Sequence, residues 1–170
     1  SKKKISSDFN PYPPITHKKD SFVSLKDVLK DIQEPELSDD LSQQNYSKAK
    51  FMGKHCQGQS EIKLDNIGPT IRAEHHGNIE FRRLSILNGG KYNSELESGK
   101  SERRLTVREC GLIQSFPPDF EFVVKSDEPR KKFLISPSQA YKVVGNAVPP
   151  LMAYNLAKRI ENLWDKYFKE

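Results

Sequence analysis

Side chains able to read the edges of nucleotide bases are concentrated in one stretch of this 170-residue chain. Arginine can pair with guanine, and glutamine or asparagine with adenine, because each presents two hydrogen-bonding atoms in one plane. Any single candidate could equally contact a phosphate or water, but the grouping favours a surface that binds nucleic acid. The candidates are Lys54, Gln57, Gln59, Arg72, His75, His76, Asn78, Arg82 and Arg83.

Neither the histidines nor the cysteines suggest another chemistry. His75 and His76 are adjacent but have no further ligands at a metal-binding spacing, so we expect no metal site. Cys56 and Cys110 provide neither a disulfide framework nor a zinc-site spacing. Reduced thiols in a cytoplasmic protein are the simplest interpretation. The sequence also contains no apolar run of membrane-spanning length and no recognisable signal peptide.

The charge of the chain indicates a polyanionic partner. The formal net charge is +5, and the sequence pI is about 9.1. Between Lys48 and Arg104, eleven Lys and Arg stand against seven Asp and Glu, so most of the surplus lies there. A concentrated basic segment fits nucleic acid better than an evenly solvated surface does.

The composition leaves little apolar surface for an independent core. Apolar residues make up 35% of the chain and charged residues 30%, whereas globular proteins contain about 45–50% apolar residues when glycine is counted. The mean hydropathy is -0.75. This balance predicts a docking partner or a covalently attached second domain.

The first hundred residues predict a connector, a short helix and an irregular domain. Residues 1–23 form an extended connector, because three prolines between positions 11 and 14 favour extended backbone. Within 24–45, Ser24 and Asp27 form a predicted capping box for a short helix, and a linker follows it. Residues 46–102 contain short apolar pieces broken by glycines, including an expected exposed loop from 91 to 101.

Three helices are predicted in the remainder, which gives an α+β fold overall. The first, within 103–138, begins with a capping box of Thr106 and Glu109. The second follows Ser136 within 139–170, and Gly145 is suited to terminate it. The third begins at Pro149-Pro150 and extends to about residue 168. Its apolar stripe, which we expect to cover a partner surface, comprises Met152, Leu156, Ile160, Leu163 and Tyr167.

Three sequence blocks resemble the DNA cytosine-5 methyltransferases. The segment RRLTVRECGLIQSFPPDF and the later QAYKVVGNAVPPLMAYNLAKRI are similar to that family's last two conserved motifs. Ahead of them, LDNIGPTIRAEHHGNIEFRRL resembles the core of its target recognition domain. The resemblance implies that the chain is the C-terminal part of such an enzyme. A small irregular β-rich recognition domain (46–102) would then be followed by helices that pack back on a missing Rossmann-like catalytic domain.

The resemblance assigns roles to individual residues. Thr70, of the Thr70-Ile71 pair, would hold the DNA backbone beside a base that is rotated out of the helix. Asn146 and Ala147 would form one wall of the pocket for S-adenosylmethionine, most of which the catalytic domain supplies. Arg103, Arg104, Thr106 and Glu109 would be architectural, although Leu112 replaces an arginine usual in the family and puts a buried polar network in doubt.

Cys56 superficially matches the family nucleophile because glutamine follows it. That nucleophile is a cysteine preceded by proline, whereas His55 precedes Cys56, and the chain has no glycine-rich cofactor loop. We therefore expect no catalytic residue in this chain, and Cys110 to be a small buried side chain.

The resemblance implies one function and leaves two others open. The chain would select a sequence in double-stranded DNA and close the cofactor pocket of a bacterial, nucleoid-associated restriction–modification methyltransferase. It would be inactive without a catalytic domain or subunit that carries the Pro-Cys nucleophile, whether the two are one polypeptide or separate subunits of a split enzyme. The alternatives are a stand-alone DNA-binding module and a degenerate relative that makes only protein contacts.

Overall fold

The computed structural model describes residues 10–18, 20–73, 78–91 and 93–168, without the side chains of Asn93 and Tyr167. The chain divides into two compact units. The larger is Val23–Ala147, and the smaller combines the segment up to Phe22 with the segment from Val148 onward. No helix among the described residues is both long and apolar enough to cross a bilayer.

The larger unit is a mixed assembly of short helices and two small sheets, as the α+β prediction requires. Strands β1 and β2 pair antiparallel, as do β3 and β4. Single 3₁₀ turns occur at Pro35–Leu37 and Ile86–Asn88. The elements in chain order are α1 (Leu25–Val28), α2 (Leu41–Gln44), β1 (Phe81–Arg83), α3 (Asn93–Glu97), β2 (Arg103–Arg104), α4 (Val107–Ile113), β3 (Val124–Lys125), β4 (Phe133–Ile135) and α5 (Pro137–Asn146).

The segment 46–102 contains less strand than the sequence predicts. Among its described residues β1 is the one regular strand, and isolated bridges join Tyr46 to Thr106 and Glu61 to Phe81. Helix α3 also occupies part of the expected loop from 91 to 101. Gly58, Gly89 and Gly99 do lie in turns, but backbone groups here find side-chain partners instead of a continuous ladder.

Three capping boxes start helices of the larger unit. The predicted pairs Ser24–Asp27 and Thr106–Glu109 are both present. Ser136 caps α5 with Gln139 as its reciprocal partner. Each box satisfies amide groups that a helix terminus leaves without intrahelical partners, so a local sequence pattern determines these starts.

The core of the larger unit lies where α4 packs against α5. Leu105, Cys110 and Val144 have no exposed surface, and Tyr141 is 2% exposed. The Tyr141 hydroxyl donates to the carbonyl oxygen of Leu105 at 2.6 Å. Burial raises the pKa of the Cys110 thiol, which stays neutral in this apolar setting. The expectation that Cys110 is a small core residue is confirmed.

The smaller unit contains the C-terminal helices. Helix α6 spans Pro150–Asn162 and α7 spans Trp164–Tyr167. The single helix predicted here is interrupted at Leu163, whose φ of -117° and ψ of 13° leave the helical range. The Arg159 guanidinium donates to the carbonyl oxygen of Asn10 at 2.8 Å, which ties the connector to α6.

Candidate nucleic-acid interface

The segment containing Thr70 lies directly against the end of α5. A Cβ atom at Gly145 would be 2.3 Å from the amide nitrogen of Ala73 and 2.3 Å from the carbonyl carbon of Arg72. Gly145 therefore does not terminate α5, as the sequence suggested, because the helix continues through Asn146. Its role is to let two backbones touch where any side chain would separate them.

The residues that the resemblance assigned to DNA and cofactor are accessible on these two segments. Thr70 and Asn146 are exposed, and Ala147 is half-buried. Gln114 fixes the turn after α5, because its side-chain amide donates to the carbonyl oxygens of Val144 at 3.1 Å and Ala147 at 3.4 Å. This role of Gln114 was not predictable from the sequence, since a polar residue at the end of a helix usually faces water.

A cavity of about 460 Å³ lies in the larger unit near the same segment. Four predicted candidates, Lys54, Gln57, Gln59 and Arg72, line it. Lys63 and Lys91 also line it and were missed. Both lysines lie in the basic segment between Lys48 and Arg104, and that position could have identified them as candidates. We call Lys54, Lys63 and Lys91 the cavity lysines.

The carboxylates of the cavity are already engaged. Glu80 accepts from the Arg72 guanidinium at 2.8 Å. Glu61 accepts from the backbone amides of Leu84 at 2.9 Å and Lys91 at 2.7 Å. None of the cavity lysines forms an ion pair with a described residue. The cavity therefore presents ammonium groups that an anion can bind.

Two predicted base-reading residues use their side-chain hydrogen bonds inside the protein. The Arg83 side chain has no exposed surface and contacts Glu34 at 2.6 Å and Glu95 at 2.9 Å. Gln59 is 4% exposed and accepts from the backbone amide of Met52. We correct their assignment to the scaffold, because their hydrogen-bonding groups are used inside the protein.

Of the remaining candidates, Arg82 and Asn78 are partly buried, and the two histidines cannot be assigned. Arg82 is 13% exposed, and its guanidinium lies 3.9 Å from Glu95 and 4.0 Å from Glu109. Asn78 is half-buried, with its backbone against Gly58. His75 and His76 lie outside the described residues. No cluster of metal-ligating side chains occurs among the residues that are described.

A buried polar network supports the interface. Arg103 binds Glu109 through two hydrogen bonds of 2.8 and 2.9 Å. Arg104 donates to the carbonyl oxygens of Ala49 at 2.8 Å and Gly58 at 2.6 Å, and also to that of Ile79. The network exists although Leu112 is not an arginine. Leu112 packs against the apolar core instead.

Glu34 links this network to the segment before it. Burial of its carboxylate would raise its pKa, but the hydrogen bond from Arg83 and the charges of Arg103 and Arg83 outweigh burial and lower the pKa to about 2. The glutamate therefore remains charged between two buried arginines. Sequence reasoning missed Glu34 because its partners lie 49 and 69 positions away.

Cys56 is half-buried at the cavity. The two carboxylates of that cavity, Glu61 and Glu80, are engaged with backbone amides and with Arg72. That Cys56 is not a nucleophile stays a prediction from the sequence.

Comparison with known proteins identifies relatives for nearly the whole chain. The family model for C-5 cytosine-specific DNA methylase matches residues 2–162. Type II methyltransferase M.MthTI of Methanothermobacter thermautotrophicus is 30% identical over 152 residues, covering 82% of this chain and 43% of that protein. Type II methyltransferase M.NgoPII of Neisseria gonorrhoeae is 26% identical over 156 residues, covering 85% and 43%.

A third relative differs in length. Type II methyltransferase M.AquIB of Picosynechococcus is 44% identical over 66 residues, which are 38% of this chain but 47% of that protein. That relative is therefore shorter than the present chain, whereas the chain spans less than half of the two longer relatives. Because the family match extends over almost all of its residues, the chain belongs to the C-5 cytosine-specific DNA methylase family.

Proposed function

We propose that this chain is the DNA-recognition and cofactor-pocket-closing portion of a restriction–modification methyltransferase. The complete enzyme would transfer a methyl group from S-adenosylmethionine to carbon 5 of cytosine in a specific DNA sequence. The Pro-Cys nucleophile would come from a catalytic portion that this chain does not contain. Without that portion the chain would have no methyltransferase activity.

The backbone contact at Gly145 carries this proposal. It brings the exposed Thr70, the candidate for the DNA backbone, and the exposed Asn146, the candidate for the cofactor, onto two touching segments. The two assignments came from separate motifs about 75 positions apart in the sequence. A methyltransferase needs DNA and cofactor side by side, and this contact provides that proximity.

The electrostatics of the cavity fit the DNA half of the proposal. The cavity lysines and Arg72 surround a concave surface whose two glutamates are engaged. Phosphate groups attract such ammonium groups without regard to sequence. Gln57, exposed at the same cavity, presents an amide that can distinguish base edges.

The residues at the end of α5 fit one wall of a cofactor site. Ala147 is small, and the Asn146 side chain is accessible for hydrogen bonding. Bound there, S-adenosylmethionine would supply the transferred methyl group. Asn146 and Ala147 would position it, and Gln114 would hold their backbone in place.

Two substitutions in the native methyltransferase that contains this chain separate the two halves of the site. We expect Asn146→Ala to raise the KM for S-adenosylmethionine about tenfold or more and to leave the Kd for DNA near that of the wild type. We expect Thr70→Ala to weaken DNA binding about three- to tenfold, since one hydrogen bond to a phosphate is lost. Transfer of a radiolabelled methyl group and DNA titration measure these quantities.

Lys125→Ala is the control, because Lys125 is exposed on β3, which contributes no proposed site residue. Wild-type constants for both site variants would contradict the proposal. Methyl transfer by the purified 170-residue chain alone would contradict the assignment of catalysis to another portion. Binding to DNA by a native protein that never methylates it would favour a stand-alone DNA-binding module.

The same function could be carried by a split enzyme, in which this chain is a subunit separate from the catalytic chain. The short relative M.AquIB favours it, because a protein shorter than this chain carries the name of a methyltransferase. Immunoblotting of the source cells with an antibody to this chain distinguishes the forms. A band near 19.5 kDa with a co-purifying Pro-Cys protein supports a subunit. A much larger band supports a single polypeptide.

A further inference from the structure

A tight turn beside the cavity presents two aliphatic side chains to solvent. In the 3₁₀ turn Ile86–Asn88, Leu87 is 99% exposed and Ile86 is 58% exposed. Isolated exposed leucines are common on protein surfaces and need no explanation by themselves. Two further features distinguish Leu87 from such a residue: the hydrogen bonds and glycines that hold its turn, and the position of the turn beside the cavity.

The turn is held rigidly at both ends. Glu61 accepts from the amides of Leu84 and Lys91, which flank it. Within the turn, the amides of Asn88 and Gly90 both donate to the carbonyl oxygen of Ser85, at 3.0 and 2.9 Å.

Two glycines fix the path of the turn. Gly89 has a φ of +93°, which favours glycine. A Cβ atom at Gly90 would lie 1.7 Å from the carbonyl oxygen of Leu84, so no larger residue fits. A side chain at the tip of such a turn keeps its position when another surface presses on it.

Both carboxylates and lysines lie around the turn, and the carboxylates are engaged: Glu102 accepts from the amide of Ser85 at 2.6 Å, and Glu61 from the amides of Leu84 and Lys91. Asn88 and Gly89, the two residues after Leu87, line the cavity together with the cavity lysines. The Lys54 ammonium lies close to the turn, 3.1 Å from where a Cβ atom of Gly89 would be. An apolar tip beside a cavity lined by lysines is a poor match for an apolar protein surface. It matches a DNA duplex, which has anionic phosphates outside and apolar base faces inside.

We infer that Leu87 is an apolar wedge that enters between neighbouring bases of the bound DNA duplex, while the cavity lysines hold the phosphates beside it. The inference rests on the proposed function, because it requires the larger unit to bind DNA. Aliphatic side chains inserted at a base step unstack it and bend the duplex. Leu87 would thus contribute to recognition through the deformability of the DNA, without a hydrogen bond to any base.

The test uses the native methyltransferase and a duplex carrying the sequence that it methylates. Fluorescent analogues that keep Watson–Crick pairing, 2-aminopurine for adenine and pyrrolocytosine for cytosine, replace one base at a time. The methylated cytosine is left unchanged, so that rotation of the target base does not supply the signal directly. We expect wild-type protein to raise the fluorescence at one base step. Leu87→Ala at saturation should lose at least half of that increase and bind about fivefold or more weakly. Leu87→Met, which restores a long apolar side chain, should recover both.

Leu37→Ala is the matched control, because Leu37 is 75% exposed in the other 3₁₀ turn, Pro35–Leu37. A wild-type fluorescence increase and affinity in Leu87→Ala would overturn the inference. Tight binding by wild-type protein without an increase at any position would also overturn it and leave the proposed function intact. Failure of wild-type protein to bind the duplex would overturn both.

Discussion

At the scale of single residues, arginine and lysine perform different tasks in this chain. Arg83, Arg103 and Arg104 are almost fully buried, and their donors are used by glutamates and backbone carbonyls. The cavity lysines have no such partners among the described residues. On the proposed function, the surplus charge of the basic segment would therefore reach a phosphate mainly through lysine, while these buried guanidinium groups build the scaffold behind the lysines.

Residue types alone did not distinguish a buried scaffold arginine from an accessible one. The burial of Cys110 and the pairing of Thr106 with Glu109 were predictable, because both depend on neighbours within one helix. Arg83 was expected at the DNA because an arginine among polar residues usually faces solvent. Its burial depends on Glu34, which is 49 positions away, and no local pattern contains that information.

Glu34 gives the network a defined pH dependence. The pKa of its carboxyl falls from 4.5 to about 2 on folding, so it stabilises the protein fully above about pH 4.5 and loses that contribution as the pH falls toward 2. We expect Glu34→Gln to lower the free energy of unfolding at pH 7 by on the order of 2–3 kcal/mol. The difference between variant and wild type should shrink steadily below pH 4.5. Urea unfolding at a series of pH values measures it.

The control for this measurement is Glu36→Gln, because Glu36 is exposed in the following 3₁₀ turn. We expect that substitution to change stability little at any pH. An equal loss for Glu34→Gln at pH 7 and pH 3 would show that the ion pairs with Arg83 and Arg103 are not the source of the stability.

At the scale of elements, close backbone contact determines where the predicted site residues meet. The helix starts were predictable from their capping boxes. The pairing of β1 with β2, and of β3 with β4, was not, because strands of two or three residues carry too little periodicity. The approach of α5 to residues 72 and 73 was not predictable either. A glycine near a helix end, such as Gly145, is usually a helix stop signal, and that interpretation concealed its role in the contact.

Gly145→Ala distinguishes the close contact from the stop signal. Alanine in place of glycine inside a helix normally stabilises a protein by about 0.5–1 kcal/mol. Here the added Cβ would meet backbone atoms at 2.3 Å, so we expect the opposite sign and a loss of about 1–3 kcal/mol. Thermal unfolding of the native protein measures the change.

The methyl-transfer rate of Gly145→Ala should fall as well, because the segments that carry Thr70 and Asn146 are pushed apart. Lys142→Ala, an exposed substitution on the same helix, serves as the control. A Gly145→Ala protein that is more stable than wild type would exclude the close-contact role.

At the scale of the whole molecule, several apolar side chains of α6 and α7 are largely exposed among the described residues. Tyr154, Ile160 and Trp164 are 58%, 47% and 55% exposed and line one groove of about 570 Å³. The low apolar content of the chain predicted an incomplete core, and the predicted stripe included Ile160. Leu163 was also placed in the stripe but is 8% exposed, because the helix is interrupted there.

We expect Ile160→Asp to destabilise the native methyltransferase, because on the proposed function the groove contacts the catalytic portion. Placing a carboxylate in that contact should lower the free energy of unfolding by about 2 kcal/mol or more. Calorimetry and binding of an apolar dye measure the change. Asn162→Asp introduces the same charge at an exposed position of the same helix and should have little effect. Equal melting temperatures for the two variants would contradict a covered groove.

Arg104 also sets the time at which the region before it can finish folding during synthesis. Its guanidinium binds carbonyl oxygens of Ala49, Lys50 and Gly58, which precede it by 55, 54 and 46 positions. The ribosome releases these acceptors before the donor, and none of the three residues belongs to a regular strand. Their carbonyl groups keep water as a partner until Arg104 emerges. The nascent chain can therefore assemble the loops that contain Ala49, Lys50 and Gly58 only after the last residue of β2 has left the ribosome.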